Sequence, residues 1–286
     1  MVGESLLWSA AEGALLWVDI CGKRIHRLGV EGHRHRVWPT PDFPTSIALR
    51  AKGGAVVGLT RSVTLWDFGD RFEPFAVPEP DLADNRLNEG RVDPRGRLWV
   101  GTMQNNLEAD GSAKAMTRSC GAIYRIGADG RIDAMTPPGF GITNGFVWTG
   151  DGRFIAADTL KNELYSYDCD PGAGLSDERK AFGAPFPRGL PDGSCLDGDG
   201  FIWNCRVAGG GCLVRFAPDG SVDRVVDLPC TSPTSCAFGG NGLDTLYVTS
   251  ARFTMTPDHL ARNPLEGGLF ALDVGVKGRP EPVFAG

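Results

Sequence analysis

A short phrase, glycine followed by an apolar, β-rich run, recurs six times along this chain. It stands at Gly13 before LLWVDI, Gly53 before AVVGL, Gly96 before LWVGTM, Gly152 before FIAAD, Gly200 before FIWNC and Gly242 before TLYVTS. The intervals are 40, 43, 56, 48 and 42 residues. A period of about 45 residues with room for three or four strands is the size of a β-propeller blade. The longest interval holds the polar stretch Gln104 to Ser119, read as a surface loop inserted between strands. Composition agrees: 40 glycines and 20 prolines punctuate short apolar runs, without the Gly-X-Y period of collagen. Seven Trp and fifteen Phe exclude a disordered chain. The sequence thus predicts an all-β, six-bladed propeller, with residues 1–286 as one domain.

Eight residues before each glycine (nine in the first unit) a second phrase appears. It reads ESLLW from Glu4, TSIAL from Thr45, NEGRV from Asn88, NGFVW from Asn144, DGSCL from Asp192 and TSCAF from Thr234. Each time a polar residue precedes a small residue or turn, and an apolar strand follows. The innermost strand of a blade begins near one mouth of the central channel. Equivalent positions in six blades therefore form a ring: Glu4, Thr45, Asn88, Asn144, Asp192 and Thr234. Asn, Asp and Thr are also ordinary turn residues when taken singly. As a set they bring two carboxylates together, which repel unless a cation or protons compensate them.

Several function classes are disfavoured. The net charge is −6 with basic residues scattered, so no nucleic-acid footprint is present. No run of 18 apolar residues exists and Met1-Val2-Gly3-Glu4 carries no basic leader, so neither a membrane span nor a secretory signal is expected. The eight cysteines form no CxxC pair and most lie in apolar segments, which reads as reduced core thiols of a cytoplasmic protein. Trp17, Trp99, Trp148 and Trp203 fall in strand runs and read as packing between blades. The four histidines, His26, His33, His35 and His259, lie outside the ring phrases, which argues against a His-rich zinc site. His33 and His35 read as solvated. No G-x-S-x-G is present, and Gly209–Gly211 precedes a strand-like run, so it reads as a hairpin and not a phosphate cradle.

The ring donors are oxygens. Glu4, Asn144 and Asp192 suit a hard divalent ion such as Ca²⁺, Mg²⁺ or Mn²⁺, with Zn²⁺ less favoured. Asp192 is also placed to accept the proton of an attacking water. Arg86 stands two residues before Asn88, and a guanidinium beside an amide suits a polyhydroxylated or carbonyl-bearing ligand.

At these residues the chain resembles the regucalcin (senescence marker protein) and gluconolactonase family. The stretches that carry the likeness are GESLLW (3–8), LLWVDI (15–20), NRLNEGRVDPRGRLWVGTM (85–103), ITNGFVW (142–148), LPDGSCLDGDGFIW (190–203), TSCAFGG (234–240) and SARFTMTPDHLARNPLEGGLFAL (250–272). They run end to end and in order. The resemblance implies a six-bladed propeller that opens sugar-acid lactones with one divalent metal ion at a mouth of its channel. It implies Glu4, Asn144 and Asp192 as metal ligands, Asp192 also as acid/base, and Arg86 and Asn88 as the substrate-binding pair. A glutamate of the family just after GTM is replaced here by an amide in Gln104-Asn105-Asn106, matched to Asn106 as a further substrate contact. Leu6 stands where the family often has proline. Few residues precede Glu4, so ring closure falls to the segment GLFALDVGV…PVFAG or to chain upstream of Met1.

The expected activity is metal-dependent hydrolysis of a small sugar lactone, with no nucleic-acid or membrane partner. Two alternatives stay open: a phosphotriesterase- or esterase-like metallo-propeller, and a non-catalytic calcium-binding propeller.

Overall fold

The computed structural model describes residues 1–31, 34–170, 174–176 and 178–286; His33 lies outside the described residues. Six antiparallel sheets follow one another along the chain. The first comprises β1 (Gly3–Ser9), β2 (Ala14–Asp19), β3 (Arg24–Gly29) and β4 (His35–Pro39). The second comprises β5 (Ser46–Leu49), β6 (Ala55–Gly58), β7 (Val63–Trp66) and β8 (Phe72–Ala76). The third comprises β9 (Asn85–Val92), β10 (Leu98–Gln104), β11 (Ile123–Ile126) and β12 (Ile132–Ala134). In the fourth, β13 (Thr143–Trp148), β14 (Arg153–Asp158) and β15 (Glu163–Asp170) are edged by β16 (Gly174–Leu175) and β17 (Lys180–Ala181). The fifth comprises β18 (Leu190–Leu196), β19 (Ile202–Val207), β20 (Cys212–Phe216) and β21 (Val222–Asp227). The sixth has three strands, β22 (Pro233–Gly239), β23 (Thr245–Ser250) and β24 (Leu269–Asp273).

The sheets are the blades of a six-bladed propeller, as the repeat predicts. The first strand of each is innermost, and β1, β5, β9, β13, β18 and β22 pack side by side around the axis. The repeat glycines sit in the hairpins that turn each inner strand into the second. Gly96 and Gly200 there take φ of 76° and 88°, a left-handed turn that any Cβ would strain. The Gly209–Gly211 run closes the β19–β20 hairpin, as expected.

Apolar residues at successive strand positions, such as Leu15 and Leu16 of β2, point to opposite faces of a blade, so each interface between blades becomes a core. Among the described residues there are six such clusters, one per interface. Trp99 and Trp203 are wholly buried in two of them, and truncating either would cost about 3–5 kcal/mol. Trp99 meets Trp148 edge-on at 5.4 Å across the third and fourth blades. Trp17 packs against the core between the first and sixth blades, as expected, and its indole also stacks on His26 and His35 of its own blade. His35 is exposed yet bonded to His26 at 3.0 Å, so it is a partnered ring and not simply a solvated one. Two inner hairpins share a further lock: Trp99 Nε1 donates to Asp93 at 2.9 Å, and Trp203 Nε1 to Asp197 at 3.0 Å. All eight cysteines are unpaired, five of them buried, in keeping with the thiol reading.

The ring closes where β1 packs beside β22. Val2 bridges Ala251 there, and the Arg252 amide donates to the Met1 carbonyl at 2.9 Å. The C-terminal segment contributes β24 and then crosses beneath the blades. Gly278 bridges Asp197, Phe284 bridges Arg50, and the Phe284 ring fills the core between blades two and three.

Candidate active site

The predicted ring lies on the inner strands, and a local irregularity aims its side chains. Next to Glu4, Asn88, Asn144, Asp192 and Thr234 the inner strand bulges, two residues facing one on the second strand. A bulge breaks the alternation of a strand and re-aims a side chain, and such features collect beside active sites. In the second blade β5 pairs with β6 in unbroken register from Ser46. Thr45 accordingly stays out of the cavity: it is buried, and its hydroxyl has no hydrogen-bond partner. Five of the six predicted members therefore meet at the mouth.

Glu4, Arg86, Asn88, Asn106, Asn144, Asp192 and Thr234 line one cavity of about 240 Å³. The groups are tied to one another across blades. Arg86 donates from Nε to Asn106 Oδ1 at 3.0 Å, and from Nη1 to the Leu87 carbonyl at 2.7 Å and Asn88 Oδ1 at 2.9 Å. Asn88 Nδ2 donates to Asn144 Oδ1 at 3.0 Å and to the Thr143 carbonyl at 2.9 Å. Asn144 Nδ2 donates to Thr159 Oγ1 at 2.8 Å, and that hydroxyl donates to the Pro191 carbonyl, one residue before Asp192. Asn204 Nδ2 holds the Asp192 carbonyl at 2.9 Å. Thr234 is turned into the scaffold, donating to the Gly3 carbonyl. The inserted segment after Gln104 folds over the mouth and brings Asn106 and Leu107 into the lining.

The electrostatics follow from burial. Glu4 is pushed up to about 8, by desolvation first and then by the carboxylate of Glu89. Asp192 is held well above the usual carboxylate range, by desolvation and by Glu4 and Glu89. Burial lowers Arg86 to about 10, which leaves it a cation at neutral pH. Protons or a cation must therefore compensate these acids, and a divalent ion with oxygen ligands is chemically matched to them. Among the described residues no group of three or more His, Cys, Asp or Glu side chains is arranged to hold a metal. The donor set at the mouth is instead two carboxylates and the Asn144 amide.

Glu89 was not anticipated. In a regular strand it would face away from its neighbour Asn88, but the bulge at Asn88–Glu89 turns it into the channel. Its Oε1 accepts from Gly90 N at 3.0 Å and its Oε2 from Gly145 N at 3.1 Å, the residue after Asn144. Beneath it Arg91 lies 3.7 Å from Glu89 and 3.3 Å from Glu281 of the C-terminal segment. Only the i,i+2 spacing of Glu89 and Arg91 hinted at this column. Among the described residues no histidine lines the cavity: His26 and His35 lie within the first blade, and His259 on the helix Pro257–Arg262 faces Glu266 at 3.1 Å. Among the described residues no helix is long and apolar enough to cross a membrane.

Comparison with known proteins places the chain in a family. Residues 2–252 match the model of the SMP-30/Gluconolactonase/LRE-like region. A 6-deoxy-6-sulfogluconolactonase of Pseudomonas putida is 35% identical over 292 residues, covering 100% of this chain and 96% of its own. Regucalcin of Oryctolagus cuniculus is 35% identical, covering 99% of this chain and 95% of its own. The crystal structure of a calcium-binding protein, regucalcin, from Agrobacterium tumefaciens superposes with a TM-score of 0.90 at 28% identity, over 99% of this chain and 93% of that one.

Proposed function

This chain belongs to the SMP-30/gluconolactonase/LRE-like family, and from that premise we propose that it hydrolyses a sugar-acid lactone to the open aldonic acid, using one divalent metal ion. The observation that carries the reading is one cavity lined by two acids whose ionisation burial opposes, an amide and a guanidinium. Glu4, Asn144 and Asp192 would hold the ion. Bound there, it would supply positive charge that polarises the lactone carbonyl and stabilises the developing oxyanion.

The remaining work falls to the chain itself. Arg86, Asn88 and Asn106 form one hydrogen-bonded group that orients the hydroxyls of the substrate. Asp192 accepts the proton of the attacking water as the new C–O bond forms at the carbonyl carbon. The tetrahedral adduct then collapses, the ring C–O bond breaks, and Asp192 returns the proton to the departing ring oxygen. The balance is lactone plus water to hydroxy acid. The ion is Ca²⁺, Mg²⁺, Mn²⁺ or Zn²⁺, since oxygen ligands discriminate weakly among them.

The test is opening of glucono-, galactono-, arabinono- and xylono-lactones before and after chelation, with each metal restored in turn. Opening that survives complete chelation removes the ion from the reading, and no opening of any lactone removes the reading itself. Calcium binding without turnover is the second reading, favoured by the likeness to the Agrobacterium protein described as calcium-binding. The same assay, with metal binding measured alongside, separates the two.

A further inference from the structure

The cavity is layered. Its base is polar and comes from inner strands: Glu4, Asn88, Asn144, Asp192 and the Arg86 guanidinium. Around that base the lining from segments at the mouth is mainly an apolar collar of Val2, Ile20, Leu107, Ile142, Val207 and Phe253, with the hydroxyls of Ser232 and Thr254 beside it, the latter donating to the Phe253 carbonyl. Val2, Ile142, Val207 and Phe253 are only partly buried, so the collar presents apolar surface to whatever enters. Among the described residues Arg86 is the one cation in the lining, and it belongs to the polar base with Asn88 and Asn106, whose amide oxygens it binds. Cations on the segments that carry the collar are engaged as well: Arg206, beside Val207, donates to the Arg188, Phe186 and Gly189 carbonyls, and the Lys23 ammonium lies over the Phe43 ring. Lys114 and Arg118, on the segment that carries Asn106, both bind Asp84, at 2.6 and 2.9 Å. Arg252, beside Phe253, donates to the Glu266 carbonyl at 2.6 Å.

We propose that the preferred substrate is an uncharged lactone whose terminal carbon, the one farthest from the ester, is a methyl group, a deoxyaldonolactone. This rests on the lactonase reading and adds to it the substituent at the far end. With the ester at the polar base, the tail of the substrate lies among the collar side chains. A methyl group there loses water to apolar contact. A terminal hydroxyl enters the same place with poorer hydrogen bonding, and an anionic group would be desolvated without a free cation to meet it. The sulfonated substrate named for the Pseudomonas relative is therefore not expected here.

The test uses the full-length, metal-loaded protein. In whichever stereochemical series it opens, three lactones are compared that differ only at the terminal carbon: hydroxymethyl, methyl and phosphorylated hydroxymethyl. The expected kcat/KM for the methyl lactone is about 10-fold above the hydroxymethyl parent, the scale on which an apolar pocket discriminates one such group. The phosphorylated lactone is expected to fall about 100-fold or more below the parent, a wider gap because its charge goes unmet. Leu107→Asn and Phe253→Asn, checked for unchanged metal content and melting temperature, should each bring the methyl-to-hydroxymethyl ratio toward one. A hydroxymethyl or phosphorylated lactone opened as fast as the methyl one overturns the inference and leaves the lactonase reading standing. A ratio untouched by both variants overturns the role of the collar. Failure to open any lactone overturns the reading beneath it as well.

Discussion

Asn88 Nδ2 donates to Asn144 Oδ1 at 3.0 Å, so the amide on the third blade sets the orientation of the amide on the fourth. A substrate-binding residue is thereby also a support for a proposed metal ligand. Asn88→Ala is expected to raise KM and, in addition, to weaken metal affinity about 10-fold, the low end of what loss of such a support does. Metal titration of the variant checks it. An affinity equal to wild type would show that Asn144 is held by Thr159 alone.

Asp192→Ala removes a ligand and the proton acceptor together. Turnover of the best lactone should fall by about 10³-fold or more, and the purified variant should carry little metal. Metal content by elemental analysis, paired with lactone opening, checks both. Full metal loading with lost turnover would confine Asp192 to proton transfer.

Chelation should lower the melting temperature, and more so at pH 8 than at pH 5. In the metal-free chain Glu4 titrates at about 8 against an ordinary value of 4.5. Stability from its neutral form is complete below 4.5 and is lost as pH rises through 8. A bound ion holds the carboxylates charged and removes that loss. At a hundredfold excess of metal over its Kd the gain is about 2.7 kcal/mol, or several degrees. Melting curves at the two pH values with and without EDTA decide it. A metal effect that shrinks as pH rises would contradict the assignment of Glu4.

Much of this was legible because a propeller repeats its geometry. A fixed offset from a hairpin glycine put Glu4, Asn88, Asn144, Asp192 and Thr234 at one mouth without any knowledge of contacts. The same offset failed for Thr45, since the offset carries no information on whether the strand bulges, and β5 does not. The collar was hidden for a related reason. Ile20 ends the first repeat phrase, but Val2, Leu107, Ile142, Val207 and Phe253 come from segments outside the repeat phrases, with nothing in the period to align them. The Asp93–Trp99 and Asp197–Trp203 locks were visible as text, in DPRGRLW and DGDGFIW, but the hydrogen bond inside each was not.

The least legible residue yields the last prediction. Glu89 fixes the Gly145 amide beside Asn144 and faces Arg91, all inside the channel. Glu89→Ala frees two buried N–H donors and takes one partner from Arg91, which keeps Glu281. Breaking a buried ion pair from one side costs about 3–5 kcal/mol, and the remaining partner of Arg91 puts the expectation near 3 kcal/mol. Urea denaturation with metal saturating should show the midpoint falling at constant slope. Metal affinity should fall with it, because the bulge that aims Asn144 loses its anchor. A variant as stable as wild type with unchanged metal affinity would mean that water replaces the carboxylate, and that the column beneath the mouth plays no part in shaping it.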